Sequence, residues 1–118
     1  KPVGYWFCRN HREYQKQEQT LPVDQHMLLS LVAPRPLYVA SATNDRWADP
    51  RGEFLAAKHA SPVYKLMGRR GLGDHDLPEP NTPVHTRIGY HLRSGDHDVT
   101  AFDWQQYLAF ADKHLNSK

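Results

Sequence analysis

The six residues Leu37-Tyr38-Val39-Ala40-Ser41-Ala42 constrain the fold of this chain more than any others. They are mostly apolar, they follow prolines at 34 and 36, and they give way to the polar stretch TNDRWADP. So short and uniformly apolar a run suits a strand buried on both faces, as in a parallel sheet, better than the alternating strand of a half-solvated one. A second such run, TRIGYHLR, covers residues 86–93. Helix signals lie around and between the two. Asp24 is placed to cap a helix over residues 25–32, with Met27, Leu28, Leu31 and Val32 as its apolar face and Pro34 and Pro36 as its stop. Asp49-Pro50 has the cap-then-proline order of a helix start, and that helix runs to about residue 60. Ser61-Pro62 repeats the signal for a short helix closed by Gly68 and Gly71. Thr100-x-x-Asp103 resembles a capping box opening a helix to about residue 115. Phe102, Tyr107, Leu108, Phe110, Ala111 and Leu115 are available to pack it, and Trp104 in its first turn is expected in the core. The order helix, strand, helix, strand, helix predicts an α/β fold with a parallel strand pair.

Two parallel strands make a poor sheet, because each needs neighbours along its edges and helices on both faces. The chain has 118 residues, 39% of them hydrophobic, and a mean hydropathy of −0.76, which is polar for a chain that must bury a core alone. The expectation is that residues 1–118 form the C-terminal segment of one larger domain whose N-terminal part is absent from this sequence. The opening KPVGYWFCRN, without methionine, agrees with that. Residues 1–22 show no clean period and predict an extended loop with one short helical turn at most. Residues 69–86, rich in Gly, Pro, Asp and Asn, predict a loop unusually long for a compact domain.

Charge excludes some functions. Lys and Arg number 15 against 13 acids, interspersed, so no nucleic-acid-binding stripe forms. No stretch approaches the ~18 apolar residues of a membrane span, and no signal peptide opens the chain. The single cysteine, Cys8, cannot close an internal disulfide. It is either a buried thiol or the partner of a cysteine outside this chain. Eight histidines raise the question of a metal, and His75, His85, His91 and His97 all lie in or near loops. No i, i+4 pair falls on a helix and no Cys/His zinc spacing exists, so no metal and no cofactor are expected.

The tetrapeptide Gly-Asp-His-Asp occurs twice, at 73–76 and 95–98. The first copy sits inside the long loop, so His75 reads as solvated. The second follows one expected strand and precedes a helix. In open α/β sheets chemistry gathers at the carboxyl ends of strands, and His97 is at such an end. Asp45 lies just beyond the first strand, at the same end. Adjacent strands are about 4.8 Å apart, so residues in the loops beyond them come within hydrogen-bond reach. A carboxylate there orients an imidazole and stabilises its protonated form. Strand–Asp–helix–strand–His–helix is the closing order of an α/β-hydrolase, whose triad runs Ser, acid, His. The nucleophile is missing: Ser30, Ser41, Ser61, Ser94 and Ser117 all lie outside any Gly-x-Ser-x-Gly elbow. Asp98 reads as a loop or helix-start stabiliser, and Asp24, Gln25 and His26 as ordinary helix-start residues.

The run LPVDQHMLLSLVAPRPLYVASATNDRWADPRGEF at 21–54, with YWFC near the start and IGYHLRSGDHDVTAFDWQQYLAFADKHL near the end, resembles the glucuronoyl esterases of carbohydrate esterase family 15, particularly the bacterial branch. The resemblance implies the C-terminal part of an α/β-hydrolase three-layer sandwich, carrying its last two parallel strands, and a serine esterase. The implied substrate is the ester between 4-O-methyl-glucuronic acid on xylan and lignin alcohols; some relatives are acetyl xylan esterases. The partner is thus glucuronoxylan or a lignin–carbohydrate ester, with no nucleic acid and no membrane, and secretion or a periplasmic location follows from the resemblance alone. His97 falls on the family's catalytic histidine and Asp45 on the acid after the penultimate strand. Some members use a glutamate on an earlier strand instead, or carry both acids. Trp47 matches the tryptophan lining the uronate pocket. Read from the residues alone, an indole two positions after Asp45 either packs on a sugar ring or plugs its loop onto the next helix. Trp6 is open between lining a cleft and packing beneath one. The rival function is a non-catalytic module binding carbohydrate through Trp47 and tyrosines.

Overall fold

A computed structural model describes residues 8–14 and 16–115. Two short 3-10 turns, Asn10–Tyr14 and Glu18–Thr20, lead into the main body, one more than the sequence predicts. The aromatic cluster Tyr5-Trp6-Phe7 lies outside the described residues. The elements then run α1 (Gln25–Ser30), β1 (Leu37–Ala42), α2 (Pro50–His59), α3 (Ser61–Leu66), β2 (Val84–His85), β3 (Ile88–Arg93) and α4 (Ala101–Leu115). β1 pairs in parallel with β3, from Leu37 opposite Ile88 to Ala42 opposite Arg93. The expected two-stranded parallel pair is corrected in one respect. β2 adds an antiparallel edge strand, Val84 opposite Tyr90 and His85 opposite Gly89, giving a mixed sheet in the order β1-β3-β2. A two-residue strand carries too little periodicity to show inside a Gly- and Pro-rich stretch. Among the described residues nothing pairs with the other edge of β1.

The caps form as their chemistry requires. Asp24 accepts the Gln25 amide at 2.7 Å, and Asp49, in the left-handed region at φ 56°, accepts the Gly52 amide at 3.1 Å with Pro50 following. Ser61 departs from expectation. The residue preceding α3 is Ala60, and Ser61 lies inside the helix, where its hydroxyl accepts the Gly73 amide at 3.1 Å and so ties down the long loop.

Alternation along the strands gives the sheet two unlike faces. One meets α2 and α3: Ile88, Tyr90 and Leu92 pack with Phe54, Ala57, Ala60, Tyr64 and Leu72, with Leu37 and Val39 at the margin. Phe54 and Tyr90 meet edge to face, ring centroids 5.1 Å apart. The other face meets α4 and carries buried polar groups. Tyr38 packs on Phe110 and Tyr107 there, over Gly89, where a Cβ would run into the Tyr38 ring. His91 is fully buried beside Asp103, with Nε2 at 2.9 Å from Oδ1 and Nδ1 at 3.0 Å from the Tyr38 hydroxyl. An ionised Asp103 only accepts, so Nε2 holds the imidazole proton and Nδ1 accepts from Tyr38. Burial drives His91 toward this neutral form, with Asp103 opposing.

Some expected core residues are on the surface. Met27, Leu28 and Leu31 of the α1 stripe are exposed, and so are Trp104, Leu108 and Leu115. Leu29 packs toward the core instead. Cys8 is exposed and free, which corrects the buried-thiol reading. No helix among the described residues is long and apolar enough to cross a membrane.

Asp103 is costly to remove. Burial opposes its charge, but Thr100 donates to it through both hydroxyl and amide, with His91 and Arg93 adding, and the balance brings its carboxyl down to about 2. That depression contributes about 2 kcal/mol to folding. The contribution is complete above the ordinary carboxyl range near 4 and is lost as the pH falls through about 2. Asp103→Ala leaves the Arg93 charge buried and uncompensated, so a loss of roughly 3–5 kcal/mol is expected in denaturant titrations at neutral pH. A change below ~1 kcal/mol would show that the cluster is not buried as described.

Candidate active site

β1 and β3 run in parallel and in register, so both deliver their following loops to one rim of the sheet. The two loops are bonded to each other. The Thr43 amide donates to the Arg93 carbonyl at 2.9 Å and the Asn44 amide to the Gly95 carbonyl at 2.9 Å. The Gly95 amide donates to the Thr43 hydroxyl at 3.0 Å, and the Asn44 side-chain amide to Asp96 at 2.9 Å. Asp45 follows at once, its amide on the Ala42 carbonyl at 3.2 Å. The result brings together two residues 52 positions apart: His97 Nδ1 lies 2.5 Å from Asp45 Oδ2.

The two partners differ in exposure. The Asp45 side chain is 14% exposed and the His97 side chain 87%. An ionised carboxylate accepts only, so Nδ1 carries the proton and Nε2 keeps a lone pair. The hydrogen bond to Asp45, and then its charge, hold His97 above the ordinary histidine range; partial desolvation opposes this, and Asp98 and Glu53 add to it. A cleft of about 430 Å³ runs along this rim, lined by Asp45, Ala48, Glu53, His97, Asp98 and Val99 among others.

Asp98 makes no hydrogen bond to the imidazole. Its carboxylate accepts the Val99 amide at 2.7 Å, as a loop stabiliser would. His75 is half-buried in the long loop and lines a separate groove along α3. Trp47 is 77% exposed on the Asp45 loop and is not part of the cleft lining. Among the described residues no group of His, Cys, Asp and Glu is arranged to hold a metal ion. Every described serine is engaged away from His97: Ser30 donates to the His26 carbonyl, Ser41 donates to Glu53, Ser61 accepts from Gly73, and Ser94 accepts from Asn81.

Sequence reasoning overlooks Glu53. It lies in the first turn of α2, where Oε2 accepts the Ser41 hydroxyl at 2.7 Å. Burial raises its carboxyl, the Ser41 bond opposes, and the charges of Asp45 and Asp49 raise it further. The available signal is its spacing: four residues after the cap Asp49, it returns on the first helical turn toward the loop carrying Asp45.

The chain is similar to known proteins over nearly all of its length. A family model described as "Glucuronyl esterase, fungi" matches residues 3–68. "Carbohydrate esterase MZ0003", from an unknown prokaryotic organism, is 55% identical over 111 residues, covering 94% of this chain and 26% of that protein. The "4-O-methyl-glucuronoyl methylesterase 1" of Phanerochaete chrysosporium is 34% identical over 70 residues, covering 59% of this chain and 14% of the enzyme. Among solved structures, a promiscuous CE15 esterase from the marine bacterial metagenome superposes with a TM-score of 0.91 at 55% identity, covering 94% of this chain and 28% of that one. The chain therefore spans about a quarter, or less, of the length of these relatives.

Proposed function

We propose, from the premise that this chain belongs to the glucuronoyl esterase family, that it supplies the base and the acid of a serine-type carboxylic ester hydrolase. The substrate is a 4-O-methyl-glucuronoyl ester joining xylan to lignin alcohols. The nucleophilic serine comes from polypeptide outside residues 1–118, and the chain is the C-terminal segment of a single α/β-hydrolase domain. One observation carries this reading: the hydrogen bond between His97 Nδ1 and Asp45 Oδ2 over the carboxyl ends of two adjacent parallel strands.

In this reading His97 Nε2 takes the serine proton as the hydroxyl attacks the ester carbonyl. The imidazolium returns that proton to the departing alcohol, and the neutral imidazole so regenerated then takes a proton from the water that attacks the acyl-enzyme and releases the uronate. Asp45 holds the tautomer and stabilises the cation between the two transfers. Trp47 packs on the sugar ring at the mouth of the site. The enzyme is exported, to the periplasm or beyond, where lignocellulose is met.

The test compares two proteins. The complete polypeptide is expected to hydrolyse the methyl ester of 4-O-methyl-glucuronic acid, and residues 1–118 alone are expected to give no rate above background. Turnover by the isolated chain would overturn the placement of the nucleophile. Carbohydrate binding by a complete polypeptide without hydrolysis would favour a binding module.

A further inference from the structure

Arg93 ends β3 on the face toward α4, and it is only 6% exposed. Each of its three nitrogens has a partner. Nε donates to Asp103, 2.9 Å from Oδ2. Nη1 donates to the Ser94 carbonyl at 3.1 Å, and Nη2 to the carbonyls of Asp96 and Asp98, both at 2.8 Å. Asp96 and Asp98 are the two neighbours of His97.

From this we infer that Arg93 is a positioning residue for His97: anchored by Asp103, its guanidinium grips the backbone carbonyls on both sides of that histidine and so fixes the loop from which the ring reaches Asp45. The inference rests on the reading of His97 as the catalytic base and extends it to a residue that acts through the His97 loop, its guanidinium hydrogen bonds going to Asp103 and to that loop's carbonyls. Three carbonyls converging on one point repel one another unless a cation sits between them, and a planar fork of five N–H donors meets several acceptors at once. The loop closes tightly on the fork. Gly95 has φ +119°, a region L side chains rarely adopt, and a Cβ there would stand 2.9 Å from Arg93 Nη1. The anchor is fixed in turn, since Asp103 takes the Thr100 amide at 2.6 Å and hydroxyl at 2.7 Å at the start of α4, and His91 on its other oxygen at 2.9 Å. The start of α4, Asp103, Arg93 and the His97 loop thus form one continuous chain of charge-assisted bonds.

Arg93→Lys in the complete enzyme separates positioning from folding, because it keeps a cation for Asp103 and removes the fork. The expected result is a folded protein by circular dichroism, with kcat down ~10–100-fold and KM within about twofold, as a misplaced base predicts. The imidazole of His97, followed by ¹⁵N NMR, should titrate nearer the ordinary histidine value as its hold on Asp45 loosens. A variant with kcat within twofold of the parent, or with a His97 titration unchanged, overturns the inference. If the variant does not fold, the parent protein decides. Resolved, slowly rotating Nη signals for Arg93 are expected, and a single averaged signal overturns the clamp. A parent that hydrolyses no uronate ester would sink the esterase reading alone, since the His97 titration and the Nη signals answer for Arg93 independently.

Discussion

Alanine in place of His97 is expected to lower ester turnover by the complete enzyme ~10⁴–10⁶-fold, because a base that serves both half-reactions has no substitute. Stability should hardly change. The side chain is 87% exposed and its one bond among the described residues is to Asp45. The two readouts together make the test sharp: kcat on a soluble uronate ester should collapse while the melting temperature stays put. A variant retaining a tenth of the parent rate would remove His97 from the mechanism.

Asp45→Asn is the second large effect, a loss of ~10²–10⁴ in kcat. An amide offers either its oxygen or its NH₂ to Nδ1, so the tautomer is no longer dictated. The pH profile carries further information. The base must be neutral to act, so kcat/KM rises as the pH climbs through the His97 pKa. Bonding to Asp45, and then its charge, raise that pKa, which places the acid limb of the parent above the ordinary histidine range. Asp45→Asn removes the charge, and the acid limb should move to lower pH even as the plateau drops. A small loss with an unmoved limb would assign the acid's role to a carboxylate supplied by another part of the enzyme, the arrangement in which a glutamate on an earlier strand takes over.

Much of this architecture is written in local chemistry. β1 occupies residues 37–42 because prolines precede a short apolar run and polar residues follow it, and Asp24 and Asp49 cap their helices by side-chain bonds that any helix start would use. The meeting of Asp45 with His97 follows from topology alone, once two parallel strands are placed side by side. What escapes the sequence is whatever depends on partners far along the chain. Nothing in the run IGYHLR marks its closing arginine as a clamp; only the folded loop shows three carbonyls turned onto it. Asp103 reads as a helix-start residue, which it is, and nothing local reveals its second and third duties toward Arg93 and His91. Trp104, Leu108 and Leu115 have the apolarity of core residues but project from the outer side of α4, and composition cannot tell the two sides apart without the sheet in place.

The outer edge of β1 has a wider meaning. Among the described residues its amide and carbonyl groups form an unfilled ladder, and such a ladder accepts an extended segment. An exposed edge of this kind is a template for pairing with another extended chain. In the proposed enzyme the rest of the domain would have to cover that edge.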